Sequence, residues 1–184
     1  MANMFITWGQ LQPKVGTASI TGGDKITQGV DPHQFPIFTL SWGATRLVTM
    51  DIGNGRNRDH GMISMDEVTF SREMDRASEY LLSRMFVPGY KGDLVSILVT
   101  KPDREGKGNQ TYLQIQLQQA RIVEYCINIT DGGKPVENLA ATYNKIFIQH
   151  WHEDVGGELK EGGEVGYDLL TAKVISHAKV DSGG

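Results

Sequence analysis

This sequence predicts a mainly β chain: an antiparallel barrel or sandwich carrying one α-helix. Three observations carry that expectation. Short segments that alternate apolar and polar residues recur along the chain, separated by turns rich in Gly, Pro, Asn and Asp. The strongest is Tyr112–Ile129, where Leu113, Ile115 and Leu117 share one phase and Val123, Tyr125, Ile127 and Ile129 continue it. Only one stretch, about residues 76–86, spaces its apolar residues as a helix does.

Met4–Thr7 opens the chain as a short strand. Residues 9–34, rich in Gly, Thr, Asp and Gln with Pro13 and Pro32, read as loop. Ile37–Gly43 is a strand whose alternation puts Phe38, Leu40 and Trp42 on the core side and Ser41 on the outer side. Arg46–Met50 continues it as a second strand. Asp51–Gly61 is polar, Gly-rich and long for a hairpin connection, the kind of loop that is usually functional or mobile. Met65–Ser71 returns to strand.

Asp75 is a good N-cap for the helix, because its short carboxylate can accept a free backbone N–H of the first turn. Ala77, Leu81 and Met85 lie four apart, with Leu82 and Phe86 beside them, giving one apolar stripe to pack on a sheet. Pro88-Gly89 stops the helix. Asp93–Thr100 is a strand. The alternation from Tyr112 to Ile129 is interrupted at Gln119 and Arg121, so it is either two strands or one bent at Ala120. Leu139, Ala141 and Tyr143 share a face, but Ile146 and Ile148 fall on the opposite phase. One extra residue near Asn144-Lys145, a β-bulge, would restore the facing. Gly166–Ser176 is the last strand, and residues 177–184 form a flexible tail.

The length fits a single domain over residues 1–184. A chain of this size buries roughly 70% of its unfolded surface and needs no disulfide or metal to fold. Its net charge is −4 with both signs interspersed, which argues against non-specific nucleic-acid binding, since that depends on a clustered basic face. No apolar run approaches the ~20 residues of a membrane span, and the first residues lack the basic and apolar regions of a secretory signal. Cys126 is the one cysteine. It has no intramolecular partner, which fits a reducing compartment, and it is expected as a small buried hydrophobe.

Candidate chemistry is sparse. His150 and His152 would point the same way on a strand and could share a metal, as in a cupin-like β-barrel enzyme. No third ligand follows at a recognisable spacing, and His33, His60 and His177 are scattered. The Gly-rich segments at Thr21–Lys25 and Gly53–Arg56 lack the phosphate-loop form. Asp51–Asp59 lacks the ligand order of a calcium loop. Glu73 and Asp75 are paired acids, with Asp75 better used as the cap.

The residues that say most occur in a fixed order: Met4-Phe5-Ile6, Ser41-Trp42-Gly43, then Val68-Thr-Phe-Ser-Arg-Glu-Met-Asp75 running into Ala77-Ser78. Tyr112-Leu-Gln-Ile-Gln-Leu117, Pro135-Val-Glu-Asn138, Tyr143, Lys145-Ile146 and Gly166-Tyr-Asp168 follow. This series, spanning Met4 to about Leu169, resembles the Hcp (haemolysin-coregulated) family of the bacterial type VI secretion machine. The resemblance implies an antiparallel β-barrel of two sheets with one flanking helix. It implies a homo-hexameric ring that stacks into a tube, with a spike protein at the tip, a contractile sheath outside and effector proteins inside. It implies no enzyme activity, no cofactor, no metal and no membrane insertion, and export from the bacterial cytoplasm through the apparatus without a signal peptide.

Two sets of site residues come with the resemblance. Ser41, of Ser-Trp-Gly, would line the lumen and touch cargo. The loop after it, with Asp51, Asn54, Arg56, Arg58 and Asp59, would reach a neighbouring ring or subunit. Residues 7–40 are longer than is usual for the family, which leaves the role of that segment open. The alternative reading is the metal-dependent barrel enzyme using His150 and His152, and a third is a related phage-like tail-tube protein.

Overall fold

The computed structural model describes residues 3–9, 34–49, 58–87, 90–102, 109–155 and 159–175. The strands are β1 (Asn3–Trp8), β2 (Phe35–Ile37), β3 (Thr39–Ser41), β4 (Ala44–Thr49), β5 (Arg58–Met65) and β6 (Val68–Glu73), followed by helix α1 (Ala77–Phe86). After the helix come β7 (Asp93–Pro102), β8 (Asn109–Asn128), β9 (Val136–Thr142), β10 (Lys145–Glu153), β11 (Leu159–Asp168) and β12 (Lys173–Val174). The ladders are antiparallel. The fold is mainly β with one short helix, as the alternation predicts.

Two sheets share β8. The first runs β12-β11-β10-β8-β7-β1-β2, and the second β3-β6-β9-β8. At the opposite corner the chain passes directly from β2, paired with β1, to β3, paired with β6. The circuit from β1 through β2, β3, β6, β9, β8 and β7 back to β1 is thus joined by ladders at every step but one, β2 to β3, where the chain itself makes the link. Strands that change sheet make the corners, as in orthogonally packed β structures. The hairpin is separate: β4 and β5 form their own two-stranded sheet. The tail 177–184 and residues 10–33 of the long early segment lie outside the described residues.

The core lies between the sheets and under the helix. Ile6, Trp8, Phe35, Phe70, Leu81, Ile97, Leu117 and Leu139 are all buried. Each such side chain contributes about 1.5–3 kcal/mol by leaving water. Phe70 is the hub of an aromatic cluster, with Trp8 at 6.3 Å and Phe35 at 6.5 Å between ring centroids.

The corner in β8 has a local cause. Gln119 takes a left-handed backbone at φ 54°, and the strand turns there from the first sheet to the second. It is one strand of twenty residues, bent one position before the Ala120 that the interrupted pattern indicates. Gly92, at φ +93°, lies against this bend, where a Cβ would come within 2.5 Å of the Gln119 carbonyl. Only glycine fits that backbone at that distance. The chain between β9 and β10 follows the same corner. Asn144 donates its backbone N–H to the Gln118 carbonyl at 3.0 Å and its amide to Gln119 Oε1. The phase slip near Asn144-Lys145 is thus not a bulge inside one strand. Pairing stops at Tyr143-Asn144, and the chain changes sheet.

Other expectations need correction. Phe38 is 53% exposed, because it sits at the β2–β3 corner rather than within a regular strand. Its N–H bonds the Ser71 carbonyl at 2.8 Å. Phe86 is also exposed, since the helical stripe that packs on the barrel is Ala77, Leu81 and Met85, with Tyr80. Cys126 is exposed, because a register shift between Ile122 and Glu124 changes which residues of β8 face the core. The strand expected over Gly166–Ser176 is divided: Gly166–Asp168 end β11, which begins at Leu159, and a turn over 169–172 separates them from β12.

Asp75 acts as a cap, one residue earlier than the helix boundary implies. Its Oδ1 accepts the Ala77 N–H at 2.8 Å. Its own N–H donates to Ser78 Oγ at 3.0 Å, a reciprocal arrangement like a capping box. The far end of α1 is fixed by Arg84, whose guanidinium lies 4.8 Å from the centroids of both the Tyr80 and Tyr90 rings.

Candidate functional site

Ser41 lies on the outer face of the second sheet, and the ladder registers define its neighbours. One rung runs Ser41, Thr69, Ala140, Glu124; the next runs Thr39, Ser71, Asn138, Cys126. Between them Leu40, Phe70, Leu139 and Tyr125 face inward. Because side chains alternate along a strand, these eight residues share the outer face, five of them small hydroxyl or amide residues and the others Ala140, Glu124 and Cys126. Thr39 Oγ1 and Ser71 Oγ are hydrogen-bonded at 2.6 Å. Ser41 is exposed and its neighbour Trp42 is half-buried against the core, the division expected from the sequence.

Trp42 does more than fill the core. Its Nε1–H donates to the Tyr143 hydroxyl at 2.6 Å, which in turn donates to the Asp66 carbonyl at 3.1 Å. Burial pushes the Tyr143 phenol above its ordinary pKa, the Trp42 bond opposes this, and Asp66 adds to it, so the hydroxyl keeps its proton. The Asp66 N–H bonds the Gly43 carbonyl at 2.9 Å. This chain of contacts pins the base of the β4–β5 hairpin to the barrel.

That hairpin is where the sequence has a long loop. Arg58 and Asp59 belong to strand β5, paired with Thr49 and Val48, so the loop expected over Asp51–Gly61 is shorter and stands on a two-stranded stem. Asp51, Asn54 and Arg56 lie outside the described residues.

A buried ionic network beneath the outer face escapes sequence reasoning. Arg72 and Glu137 are neighbours on β6 and β9, both with fully buried side chains, 3.4 Å apart between Nη1 and Oε2. Arg72 Nη2 also bonds Asp75 Oδ1, and its guanidinium lies 4.5 Å from the Phe35 ring centroid. Tyr125 donates to Glu137 Oε1. Burial and that bond push the Tyr125 phenol well above its usual pKa. The network ties the Val68–Asp75 motif, the start of the helix and the second sheet together. The available signal was Arg72 itself, a charge at an inward position of an otherwise apolar alternation.

Asp168 of Gly-Tyr-Asp plays a similar part at the end of β11. Its Oδ1 accepts the N–H groups of Leu170 at 2.9 Å and Thr171 at 3.3 Å, and Lys145 Nζ lies 3.3 Å from Oδ2. Burial pushes its pKa up, but Lys145 and the two N–H groups outweigh this, and the value falls below the ordinary one. The carboxylate is thereby held charged and closes the turn to β12.

His150 and His152 are both exposed on β10. The ring of His150 lies over Gly162, where a Cβ would come within 2.8 Å of Nε2. Among the described residues no three His, Cys, Asp or Glu side chains gather to hold a metal. Nothing in this arrangement supports the metal-enzyme reading. Among the described residues no helix is long and apolar enough to cross a membrane.

Among the described residues a two-sheet antiparallel arrangement, one short helix and a separate hairpin arm define the class, a small mainly β barrel. The sequence profile of the family described as "Type VI secretion system effector, Hcp" matches residues 11–150. The chain belongs to the Hcp family, and is a tube subunit of a type VI secretion system. No curated protein matches it in sequence.

Solved structures agree on the fold. A type six secretion system protein shares 20% identity over 95% of this chain and 99% of its own, with a TM-score of 0.77. Hcp1 from Salmonella typhimurium matches at 15% identity over 95% and 99% of the two chains, with a TM-score of 0.59. The secreted protein Hcp3 from Pseudomonas aeruginosa matches at 20% identity over 88% and 98%, with a TM-score of 0.53.

Proposed function

We propose that six copies of this chain close into a ring whose bore is lined by the outer face of the second sheet, with Ser41 among the lining residues. Rings stack into a tube, a spike protein sits at the tip, a contractile sheath surrounds it, and effector proteins travel inside. The protein is made in the bacterial cytoplasm and leaves through the apparatus it helps to build. It performs no chemistry of its own.

The observation that carries this reading is the composition of that face. Thr39, Ser41, Thr69, Ser71 and Asn138 give that face short hydroxyl and amide groups that hydrogen-bond without being sticky, which suits a wall that must hold passengers and release them. Elsewhere the barrel exposes large apolar side chains suited to contacts between copies, including Phe86 (69%), Ile129 (72%) and Leu170 (71%). A head-to-tail interface repeated around an axis closes when the rotation fits. We assign the β4–β5 hairpin, with Arg58 and Asp59 and the loop residues Asp51, Asn54 and Arg56, to contact with the next ring.

Electron microscopy and native mass measurement of purified protein test the ring. Annular particles of six copies are expected. A Ser41→Arg variant should form the same rings yet retain less co-expressed passenger protein. A chain that stays monomeric at high concentration, or rings whose passenger retention ignores Ser41→Arg, would refute the respective half of the proposal.

A further inference from the structure

The outer face of the second sheet is not uniformly flat. A depression of about 220 Å³ opens on it, lined by Thr39, Thr69, Asn138, Glu124 and Ala140 of the outer face and, between them, by Phe70 and Leu139. Ala140 lies between Thr69 on one ladder and Glu124 on the other, and its single methyl leaves the space that its longer neighbours enclose.

Glu124 is there because of the irregularity in β8. Ile122 faces the core opposite Ala141. Regular alternation would then place Val123 opposite Ala140 and turn Glu124 inward toward Leu139. The register instead shifts between Ile122 and Glu124, so Glu124 stands opposite Ala140 and on the outer face. Bulges of this kind re-aim a side chain and are over-represented next to functional sites. Here the bulge leaves Val123 unpaired and exposed and places a carboxylate on the wall of the depression. Glu124 has no hydrogen-bond or ion-pair partner among the described residues, unlike the paired Glu73, Glu137 and Glu153.

We propose that this depression is a subsite for one lysine or arginine side chain of a passenger protein. The inference rests on the reading of this face as the lining of a ring. Glu124 is the one charged group among the lining residues and selects a cation. The Asn138 amide and the hydroxyls of Thr39 and Thr69 offer acceptors for the remaining N–H groups. The Ala140 methyl meets the aliphatic stem that such side chains bury. The volume is below the roughly 300–1,000 Å³ of sites for drug-sized ligands, which favours a single side chain over a free small molecule. One exposed ion pair is weak, but a ring repeats the subsite on every copy, and simultaneous contacts raise the overall affinity. A passenger with spaced surface cations is held while each contact remains easily broken.

The test is titration of the full-length protein with a hexalysine peptide, with hexaglutamate as control, on wild type and on the Glu124→Gln and Glu79→Gln variants. Both substitutions are nearly isosteric and at exposed positions, so folding is preserved. Hexalysine should bind wild type, bind Glu124→Gln about three- to fivefold more weakly, and bind Glu79→Gln, altered on the helix, as wild type. Equal affinity for wild type and Glu124→Gln, or equal weakening by both substitutions, overturns the subsite. Native mass measurement of the same samples separates the two proposals. Loss of binding in a monomeric protein keeps the subsite and sinks the ring, and hexamers with unchanged binding do the reverse.

Discussion

Replacing Arg72 by leucine removes the cation at the centre of the buried network. Glu137, fully buried, is then left with the Tyr125 hydroxyl as its one remaining partner among the described residues. Asp75 loses its guanidinium but keeps the Ala77 N–H and is partly exposed. Breaking one side of a buried pair costs ~3–5 kcal/mol, because the stranded charge loses both water and partner. The Arg72 contact with Phe35 is lost as well. For a domain of this size each kcal/mol lowers the melting temperature by about 2–4 °C, so the variant should melt about 6–20 °C lower. The pair itself is a different matter. At 3.4 Å, with Arg72 Nε and Nη1 and Glu137 Oε2 all lacking hydrogen-bond geometry, its attraction repays little of the desolvation cost. The double variant Arg72→Leu/Glu137→Leu should therefore recover at least half of the loss. Urea unfolding and thermal melts of the two single variants and the double give the coupling. A loss under about 1 kcal/mol for Arg72→Leu, or a double variant as unstable as the sum of the singles, would refute the reasoning.

Two further outcomes follow from the geometry. Asp168 has a folded pKa below the ordinary 3.8, so its stabilisation is present above that value and disappears as pH falls through the folded one. Asp168→Asn should lower the urea midpoint at pH 7, and the difference from wild type should shrink steadily as the pH falls below the ordinary carboxyl value; a difference that persists unchanged at acid pH would point to packing instead. Replacing residues 50–57 by an Asn-Gly turn should leave the melting temperature nearly unchanged, because among the described residues β4 and β5 pair only with each other. The same change should abolish stacking of rings in sedimentation, and unaltered stacking would free the hairpin from that role.

Much of the site was legible because it depends on local rules. The alternation through Ser41 and Trp42 put the serine outside and the indole against the core without knowledge of either partner. Asp75 announced the helix start because capping involves residues within three positions of one another. Phe38, Cys126 and Glu124 were misread or overlooked for a common reason. Each lies at or just past an interruption of strand phase, at the β2–β3 corner or the β8 bulge. A period of two carries no information on where one extra residue enters. The slip at Asn144-Lys145 was visible, yet a bulge and a change of sheet leave the same trace in sequence and differ only in which strands lie alongside.

The amino-acid sequence alone determined the β class, the single helix and its cap, and the order of motifs that marks the Hcp family, since propensity, alternation and capping act over a few neighbouring residues. Tertiary structure decided the rest. Arg72 meets Glu137 across a ladder 65 positions apart in the chain, and Glu124 faces outward opposite Ala140 only because β8 bends and bulges as it passes between sheets. Such pairings arise from the register between distant strands, which is set when the whole barrel closes around its core.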